Sequence, residues 1–265
     1  MTMKDWTKAL NKKLRNVHLL LRINGLIIIQ LTVFSVYGQD DDLADKIQNP
    51  VADLVSLPFQ NNTDFFNNTS VNTLNIQPVT PFGLGDNINL IARTIIPIVS
   101  RNGTTGLGNT ILSGFFTPAK PGKVIWGIGP ALLFPSGNTQ LGGDQFGLAP
   151  GAVGLYQSNG WTIGGIAQYF WGISESELGQ DLGLFYSQIF IVKGLKGGWY
   201  INSAPIITSQ NDNWTIPIGA GVGKLFVLGK LPINAQIGYY SYIQHPGDAN
   251  GQLRAQVVMI LPKFY

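Results

Sequence analysis

The chain has 265 residues, of which 45% are apolar and only 12% are charged, with 33 glycines and no cysteine. A soluble domain averages about 25% charged residues, so this chain is short of the side chains that normally cover a water-facing surface. The absence of cysteine excludes a disulfide-stapled fold and a thiolate metal site. No uninterrupted apolar run of about 18 residues occurs, which argues against membrane-spanning helices.

The first 38 residues differ from the rest of the chain. Residues 1–22 carry six basic side chains and one acid, the segment 23–38 is apolar, and the acidic run 40–42 follows. This order predicts a secretory signal peptide over residues 1–38, cleaved after Gly38, with an acidic periplasmic segment over 39–50. The alternative is an uncleaved membrane anchor, which Asn24 and Gln30 weaken.

Cleavage of this leader changes the charge of the protein. Removing six of the 17 basic residues and one of the 14 acidic residues leaves 11 and 13, a net charge of −2 instead of +3. The basic isoelectric point of about 9.0 therefore belongs to the precursor. Without it, nothing in the composition favours binding to nucleic acid.

From residue 51 onward the chain consists of short, glycine-rich segments of β-forming residues separated by turn residues, with no helical period. Their lengths of mostly 9 to 13 residues suit tilted strands that cross a bilayer. The predicted strands are 51–59, 73–81, 88–98, 109–118, 123–134, 146–157, 161–171, 181–193, 198–208, 213–223, 231–242 and 251–262.

Several of these strands alternate between apolar and polar residues. In 251–262, the face with Leu253 and Val257 opposes the face with Arg254 and Gln256. Apolar residues outside, polar or small residues inside and aromatic residues at strand ends are typical of transmembrane barrels. The sequence therefore predicts an all-β fold over residues 51–265, a transmembrane antiparallel up-and-down β-barrel of about twelve strands. The phase of 181–193 is ambiguous.

The connections between these strands support the same barrel topology. With both termini in the periplasm, long loops alternate with short turns such as Asn159-Gly160 and Gly197-Gly198. The lysines then fall on the inner side and most acidic residues on the outer side. The chain ends in Phe264-Tyr265, a terminal aromatic pair that predicts recognition by the barrel-assembly machinery of the outer membrane.

Candidate lumen residues are the polar side chains on the inward phase of the strands. Arg93 lies mid-strand, and Gln77 faces inward on the neighbouring strand. Two interpretations remain open: a charge that orients a solute, or a hydrogen-bond network that fills a narrow barrel. The same pair of interpretations applies to the others, namely Gln168, Gln236, Arg254 and Gln256. Asp53 and Arg254 lie on strands that meet at closure, where an ion pair is one option.

Proline is unexpectedly frequent within the predicted strands. Proline cannot donate a hydrogen bond to a ladder, so a regular closed sheet should exclude it. Either these prolines shape the rim and block strand slippage, or they open a lateral gap in the wall. The six positions are Pro58, Pro97, Pro130, Pro150, Pro205 and Pro217.

Signals for catalysis, metals and cofactors are missing. The two histidines are His18 in the leader and His245 in a predicted outer loop, and His245 lacks the serine spacing of a barrel phospholipase. No metal-ligand cluster or phosphate-binding loop occurs, so we expect no enzyme activity, no metal and no cofactor. The acidic outer loops are compatible with cations that bridge lipopolysaccharide, although a solvated loop surface explains them equally well.

Several sequence segments, spread over nearly the whole mature chain, resemble one family. They are IQNPVADLVSLPFQNNT (47–63), LNIQPVTPF (74–82), NLIARTIIPIVS (89–100), FFTPAKPGKVIWGIGPALLFP (115–135) and WTIPIGAGVGKLF (214–226). They are similar to the outer-membrane transporter family that is named for the MetA pathway of phenol degradation. The resemblance implies a β-barrel that moves small organic molecules, aromatic ones among them, and it implies no particular site residue.

Three functions fit these observations. The leading hypothesis is a passive outer-membrane channel or transporter for small neutral to hydrophobic molecules, because the predicted interior is polar but nearly uncharged. Its partners would be outer-membrane lipid, lipopolysaccharide and a small organic solute. A non-conducting barrel filled by its own side chains is the alternative. A soluble, lipocalin-like barrel with its apolar face inside is the third.

Overall fold

The structure, a computed structural model, describes residues 49–262 except 178 and 180. The predicted leader 1–38, most of the segment 39–50 and the terminal pair Phe264-Tyr265 lie outside these residues. The described part folds into strands alone, apart from one 3₁₀ turn, Lys196–Gly198. No helix among the described residues has both the length and the apolar character needed to cross a membrane.

Fifteen β-segments form the barrel. They are β1 (Val55–Phe65), β2 (Ser70–Ile76), β3 (Val79–Gly83), β4 (Ile88–Arg101), β5 (Thr104–Leu107), β6 (Thr110–Pro118), β7 (Val124–Phe134), β8 (Gly147–Ser158), β9 (Trp161–Gly172), β10 (Gly183–Gly194), β11 (Trp199–Ser203), β12 (Ile206–Gln210), β13 (Asn213–Leu228), β14 (Leu231–Gln244) and β15 (Gly251–Leu261).

These fifteen segments make twelve strands, because three strands are interrupted. β2 and β3 both pair with β1 and β4, and β11 and β12 both pair with β10 and β13. β5 and β6 likewise share β4 as a neighbour. All pairs are antiparallel, and β15 closes the sheet on β1 from Val55↔Leu261 to Phe65↔Gly251. The predicted twelve-stranded, antiparallel, up-and-down barrel is confirmed.

The first strand differs most from its prediction. It runs from Val55 to Phe65 rather than over 51–59, so Gln60 and Asn62 lie in a strand and not in an outer loop. The pairing with β15 explains this shift, because a ladder partner continues the strand through polar residues that have low intrinsic β propensity. Residues 49–54 precede the strand, and Val51 is buried in an apolar cluster with Val79, Ile91 and Phe115.

The two faces of the sheet have opposite character, as the alternation predicts. In β15, Leu253 and Val257 are 39% and 43% exposed on the outside, whereas Arg254 between them is 2% exposed inside. Tryptophans and tyrosines lie near both ends of the outer face. Trp161 and Trp199 contact Lys193 and Lys224 with ammonium-to-ring distances of 5.1 and 5.0 Å. An exposed apolar band with aromatic residues at its ends suits a lipid bilayer.

Charge separates the two ends of the barrel. The turns 119–123, 195–198 and 229–230 carry lysines, and we call this the lysine end. The acidic side chains Asp144, Glu175, Asp212 and Asp248 lie in the turns of the opposite end, which we call the acidic end. Asp86 is an exception, because its turn (84–87) lies at the lysine end.

Candidate functional site: a polar wall inside the barrel

The lumen has two unlike walls. Along β4 and β6–β9 it is filled by two apolar clusters that include Phe115, Ile166, Leu133 and Phe170, and we call this side the apolar wall. The opposite side carries amide side chains and one arginine, and we call it the polar wall. Its members are Gln60 and Asn62 on β1, Asn202 on β11, Asn234 and Gln236 on β14, and Gln252, Arg254 and Gln256 on β15.

Hydrogen bonds connect the amides of the polar wall. Asn202 Nδ2 donates to Gln236 Oε1 at 2.8 Å, and Gln236 in turn donates to Gln256. The hydroxyl of Tyr200 donates to Asn234 Oδ1 at 2.8 Å. Buried amides need such partners, since an unsatisfied buried polar group costs about 1–3 kcal/mol. Asn202, Asn234, Gln236 and Gln256 therefore form one network with Tyr200. Gln60, Asn62 and Gln252 form a second network around Arg254.

A cavity of about 110 Å³ separates the two walls. It is lined by Gln77, Arg93, Gln236, Arg254 and Gln256 among the predicted lumen residues, and by Phe190 and Val192 on the apolar side. Residues 49–54 contribute Asn49, Pro50, Ala52 and Leu54 to its lining. Its lining is neutral apart from the two guanidinium groups.

Arg93 lines the side of the cavity that β4 forms. Its Nη2 donates to Gln77 Oε1 at 3.2 Å and to Gln188 Oε1 at 3.4 Å, and the side chain is 6% exposed. The prediction that Gln77 and Arg93 are neighbours agrees with this contact. Gln77 itself lies in the break between β2 and β3.

Arg254 lies on another side of the cavity and reaches along the inner face of β14 and β13 toward the break between β11 and β12. Its Nε donates to Asn62 Oδ1 at 3.2 Å, its Nη2 to Gln252 Oε1 at 2.8 Å and its Nη1 to the carbonyl of Ala204 at 2.6 Å. The guanidinium carbon lies 4.4 Å from the ring centroid of Tyr240. The closure ladder pairs Arg254 with Asn62 rather than with Asp53, which precedes β1.

Gln168 belongs to a different place, beside the apolar wall. It lies on β9, and its Nε2 reaches across the inner face of β7 and β8 to donate to Ser113 Oγ on β6 at 2.7 Å. Small inward residues on these strands make room for it, because a Cβ on Gly151 would lie 3.2 Å from Gln168 Nε2. Among the described residues, Gln168 Oε1 is buried without a hydrogen-bond partner.

The six prolines share one structural role: each lies where a ladder on one side of its strand is interrupted. Pro58 and Pro97 face the breaks between β2 and β3 and between β5 and β6. The β6–β7 ladder skips the pair Gly114–Pro130, and the β8–β9 ladder skips Pro150. Pro130 and Pro150 are direct partners in the continuous β7–β8 ladder.

The longest interruption contains Pro205 and Pro217. Ladder pairs between β11–β12 and β13 stop at Asn202↔Gly221 and resume at Thr208↔Thr215. Residues 203–207 and 216–220 therefore face each other without ladder pairs, and we call this region the seam. Pro205 lies in the break between β11 and β12, and Pro217 lies at a register shift of the β13–β14 ladder.

The sequence missed several members of the site for identifiable reasons. Gln60 and Asn62 fell in a predicted loop because the first strand ended too early. Gln188 lies in the strand whose phase was ambiguous. Period-two alternation from Arg254 does find Gln252, since both lie on the same face of β15. No sequence signal links Gln168 to Ser113, which are 55 residues apart.

Comparisons with known proteins support the fold. No family model matches the chain, and no curated protein matches it. A crystal structure of an outer membrane channel from Pseudomonas putida F1 is similar with a TM-score of 0.56 at 14% identity, over 78% of this chain and 94% of that one. The NanC porin is similar with a TM-score of 0.51 at 8% identity, over 78% of this chain and 100% of that one.

The barrel and its surface define where the protein resides. A closed barrel leaves no sheet edge unpaired, which is what a lipid environment requires of strands. The apolar outer face and its aromatic ends match the same environment. The chain therefore has the fold of a bacterial outer-membrane β-barrel, and the outer membrane is its location.

Proposed function

We propose that the protein is an outer-membrane channel for small neutral to hydrophobic molecules that pass by diffusion. The observation that carries this proposal is the cavity between the polar and apolar walls. Its lining offers neutral amide groups on one side and apolar side chains on the other. Apart from the guanidinium groups of Arg93 and Arg254 this lining carries no charge, so a strongly hydrated cation gains little from it, whereas a small molecule with an apolar body and one polar group fits both walls.

The proposal includes the class of solute. The resemblance to the transporter family named for the MetA pathway favours aromatic molecules such as phenol. The similar structures from Pseudomonas putida F1 and of the NanC porin are those of an outer membrane channel and a porin, which supports a channel role. In this proposal the lumen residues that line the cavity, Gln77, Arg93, Gln236, Arg254 and Gln256, orient the polar group of the solute, whereas Gln168 is hydrogen-bonded to Ser113.

Liposome swelling tests the proposal directly. The purified protein in liposomes should admit phenol or benzyl alcohol and should exclude a disaccharide, because the apolar clusters and the polar wall leave only a narrow cavity between them. Planar-bilayer recordings should show small, weakly ion-selective conductance. Liposomes that stay impermeable to all these solutes would overturn the channel.

A non-conducting barrel is the second candidate, and a specific observation favours it. The two apolar clusters fill one side of the lumen, and Val51 packs into one of them. Arg93 also reaches across the lumen, from β4 to Gln188 on β10. A structural or surface-binding barrel would keep this filling, would give no swelling with any solute and would still fold and insert.

The prolines bear on the route that the solute takes. We propose that passage uses the lumen, a lateral gap at an interrupted ladder, or both. Replacing Pro130 and Pro205 with valine should slow uptake if the gap is used, because valine restores the missing N–H group. Pro232→Val is the control, since Pro232 lies in a continuous part of the β13–β14 ladder. Unchanged uptake in the first variant would leave the lumen as the route.

We also propose three further partners: outer-membrane lipid, lipopolysaccharide and the barrel-assembly machinery. Outer-membrane lipid would surround the apolar outer face, and cations would link the acidic loops to lipopolysaccharide. The barrel-assembly machinery of the outer membrane would recognise the terminal Phe264-Tyr265. Deleting these two residues should reduce the amount of folded barrel in the outer membrane, measured as heat-modifiable protein on gels.

A further inference from the structure

The seam between β11–β12 and β13 is held by side chains instead of ladder pairs. The backbone N–H of Ala204 donates to the Tyr240 hydroxyl at 3.1 Å, and the carbonyl of Ala204 accepts from Arg254 Nη1 at 2.6 Å. On the opposite strand, the carbonyl of Gly219 accepts from Ser203 Oγ at 2.6 Å. Backbone groups that a ladder would normally satisfy are thus satisfied from the lumen.

The two sides of the seam differ in polarity. On the outer surface, the pleat leaves Ile207, Ile216 and Ile218 facing outward, and Ile218 is 61% exposed. On the inner side, Ala204, Asn202 and Arg254 line the cavity. The seam therefore joins a polar pocket inside the barrel to an apolar outer surface across a single layer of backbone.

The guanidinium group of Arg254 has more N–H donors than hydrogen bonds at this position, and its positive charge has no hydrogen bond to a carboxylate of the described residues. A guanidinium carries five N–H donors, and three hydrogen bonds engage one donor on each of its nitrogens. All three acceptors are neutral groups. The acid in the network is Asp64, which accepts from Gln252 Nε2 at 2.8 Å and is linked to Arg254 by hydrogen bonds through that amide.

An oxyanion would complete this environment. A carboxylate accepts two N–H donors from one guanidinium in a charge-assisted pair, which is stronger than the bonds to neutral amide oxygens. Displacement of the Ala204 carbonyl from Arg254 would also remove one of the bonds that hold the seam. An apolar body attached to the carboxylate would then enter the seam, whose outer side carries the three isoleucines.

We propose that Arg254 and the seam form one binding site for a small apolar molecule that ends in a carboxylate, such as an aromatic acid. The site rests on the proposed function only in that the lumen delivers the solute. Arg254 binds the carboxylate, and the seam formed by residues 203–207 and 216–220 takes the apolar body and directs it toward the lipid.

Binding measurements test the role of Arg254. Benzoate and benzyl alcohol share the apolar ring and differ in charge, so calorimetric titration of the barrel in detergent should show benzoate binding at least about tenfold tighter. Arg254→Gln should abolish that preference, and Arg254→Lys should retain part of it. Arg93→Gln tests the other buried arginine of the cavity. Loss of the preference in Arg93→Gln with its retention in Arg254→Gln would overturn the site.

A disulfide across the seam tests the path of the apolar body. The chain has no cysteine of its own, so Ile207→Cys with Ile216→Cys gives a single cross-link at the two positions that follow the last ladder pair, Thr208↔Thr215. Oxidation should weaken benzoate binding about tenfold, and reduction should restore it. Val222→Cys with Ile237→Cys is the matched cross-link in the intact β13–β14 ladder and should leave binding unchanged. Equal binding in the oxidised and reduced seam variant would overturn the seam as part of the site.

The site and the channel can fail separately. Benzoate binding that depends on Arg254 in a barrel that gives no liposome swelling would retain the site and reject the channel. Swelling with phenol in a barrel whose affinity for benzoate does not depend on Arg254 would retain the channel and reject the site. Heat-modifiability on gels verifies that every variant is a folded barrel before it is titrated.

Discussion

At the residue scale, the buried amide of Gln168 shows how a large polar side chain is tolerated beside an apolar wall. Its amide nitrogen has a partner in Ser113, and its carbonyl oxygen has none among the described residues.

Ser113→Ala should lower the free energy of unfolding by about 1–3 kcal/mol, because it leaves the amide N–H of Gln168 without a partner as well. Gln168→Met should cost less, since it removes both the donor and the unsatisfied acceptor. Urea unfolding in lipid vesicles, followed by tryptophan fluorescence, measures these values. The double variant should match Gln168→Met, and additive losses would contradict the pairing.

A second residue with a specific environment is His245, in the turn after β14 at the acidic end. Its ring contacts the rings of Phe66 and Tyr242, at centroid distances of 5.5 and 4.8 Å, and its Nδ1 accepts the N–H of Gly247 at 3.0 Å. Burial lowers the pKa of His245 below its usual value, Arg101 lowers it further, and the carboxylates of Asp64 and Asp248 act in the opposite direction.

The sign of the resulting pH dependence follows from this direction. The folded state disfavours the protonated ring, so the stabilisation is complete above the unfolded pKa of about 6.5 and is lost as the pH falls below it. Acidification from pH 7.5 to 5 should therefore increase proteolytic cleavage in the turn 245–250. His245→Gln should remove the pH dependence of cleavage; a wild-type turn that is equally resistant at both pH values would contradict the assignment.

At the scale of the element, interrupted ladders distinguish this barrel from a regular one. Residues 203–207 and 216–220 lack ladder pairs across the seam, so 217–220 are paired on one side only, with β14. Residues 221–224 are paired on both sides, with β11 and with β14. Backbone amides without ladder partners open at lower free energy. Amide hydrogen exchange, read by mass spectrometry, should thus be faster in peptides of the seam than in peptides covering residues 221–224. Equal protection of the two regions would show that the seam is as firmly closed as a regular ladder.

The prolines explain why these interruptions occur where they do. Pro205 and Pro217 each remove one N–H donor, and the chain satisfies the facing groups with Ser203, Tyr240 and Arg254. The sequence pointed to the positions, since proline within a strand indicates a bulge or a break. It did not indicate which break would be the longest, because that depends on the register of three neighbouring strands.

At the scale of the whole molecule, the outer face must match a bilayer. Val257 lies near the middle of β15 on this face, and Leu228 lies at the end of β13 beside a turn. Val257→Arg should destabilise the barrel in lipid vesicles by about 2–4 kcal/mol, and Leu228→Arg by about 0–1 kcal/mol, because the cost of a charge depends on its depth. Reversible unfolding in vesicles measures both variants. Equal costs at the two positions would contradict the depth assigned to β15.

The sequence by itself determined the class of fold, the number of strands and, except for the ambiguous segment 181–193, the face that the alternating strands turn outward. These properties follow from local patterns: period-two alternation, turn residues and the shortage of charge, each of which can be read within about ten residues. It also predicted Arg93 beside Gln77, because neighbouring strands bring them together.

Only the tertiary structure decided which polar residues meet across the lumen. Arg254 contacts Ala204, 50 positions away, and Gln168 contacts Ser113, 55 positions away. Such contacts depend on the curvature of the closed sheet and on the small residues of β7 and β8, and both arise only when the barrel closes. The division of the lumen into a polar and an apolar wall has the same origin, because it is set by the order of twelve strands around the barrel and not by the sequence of any one of them.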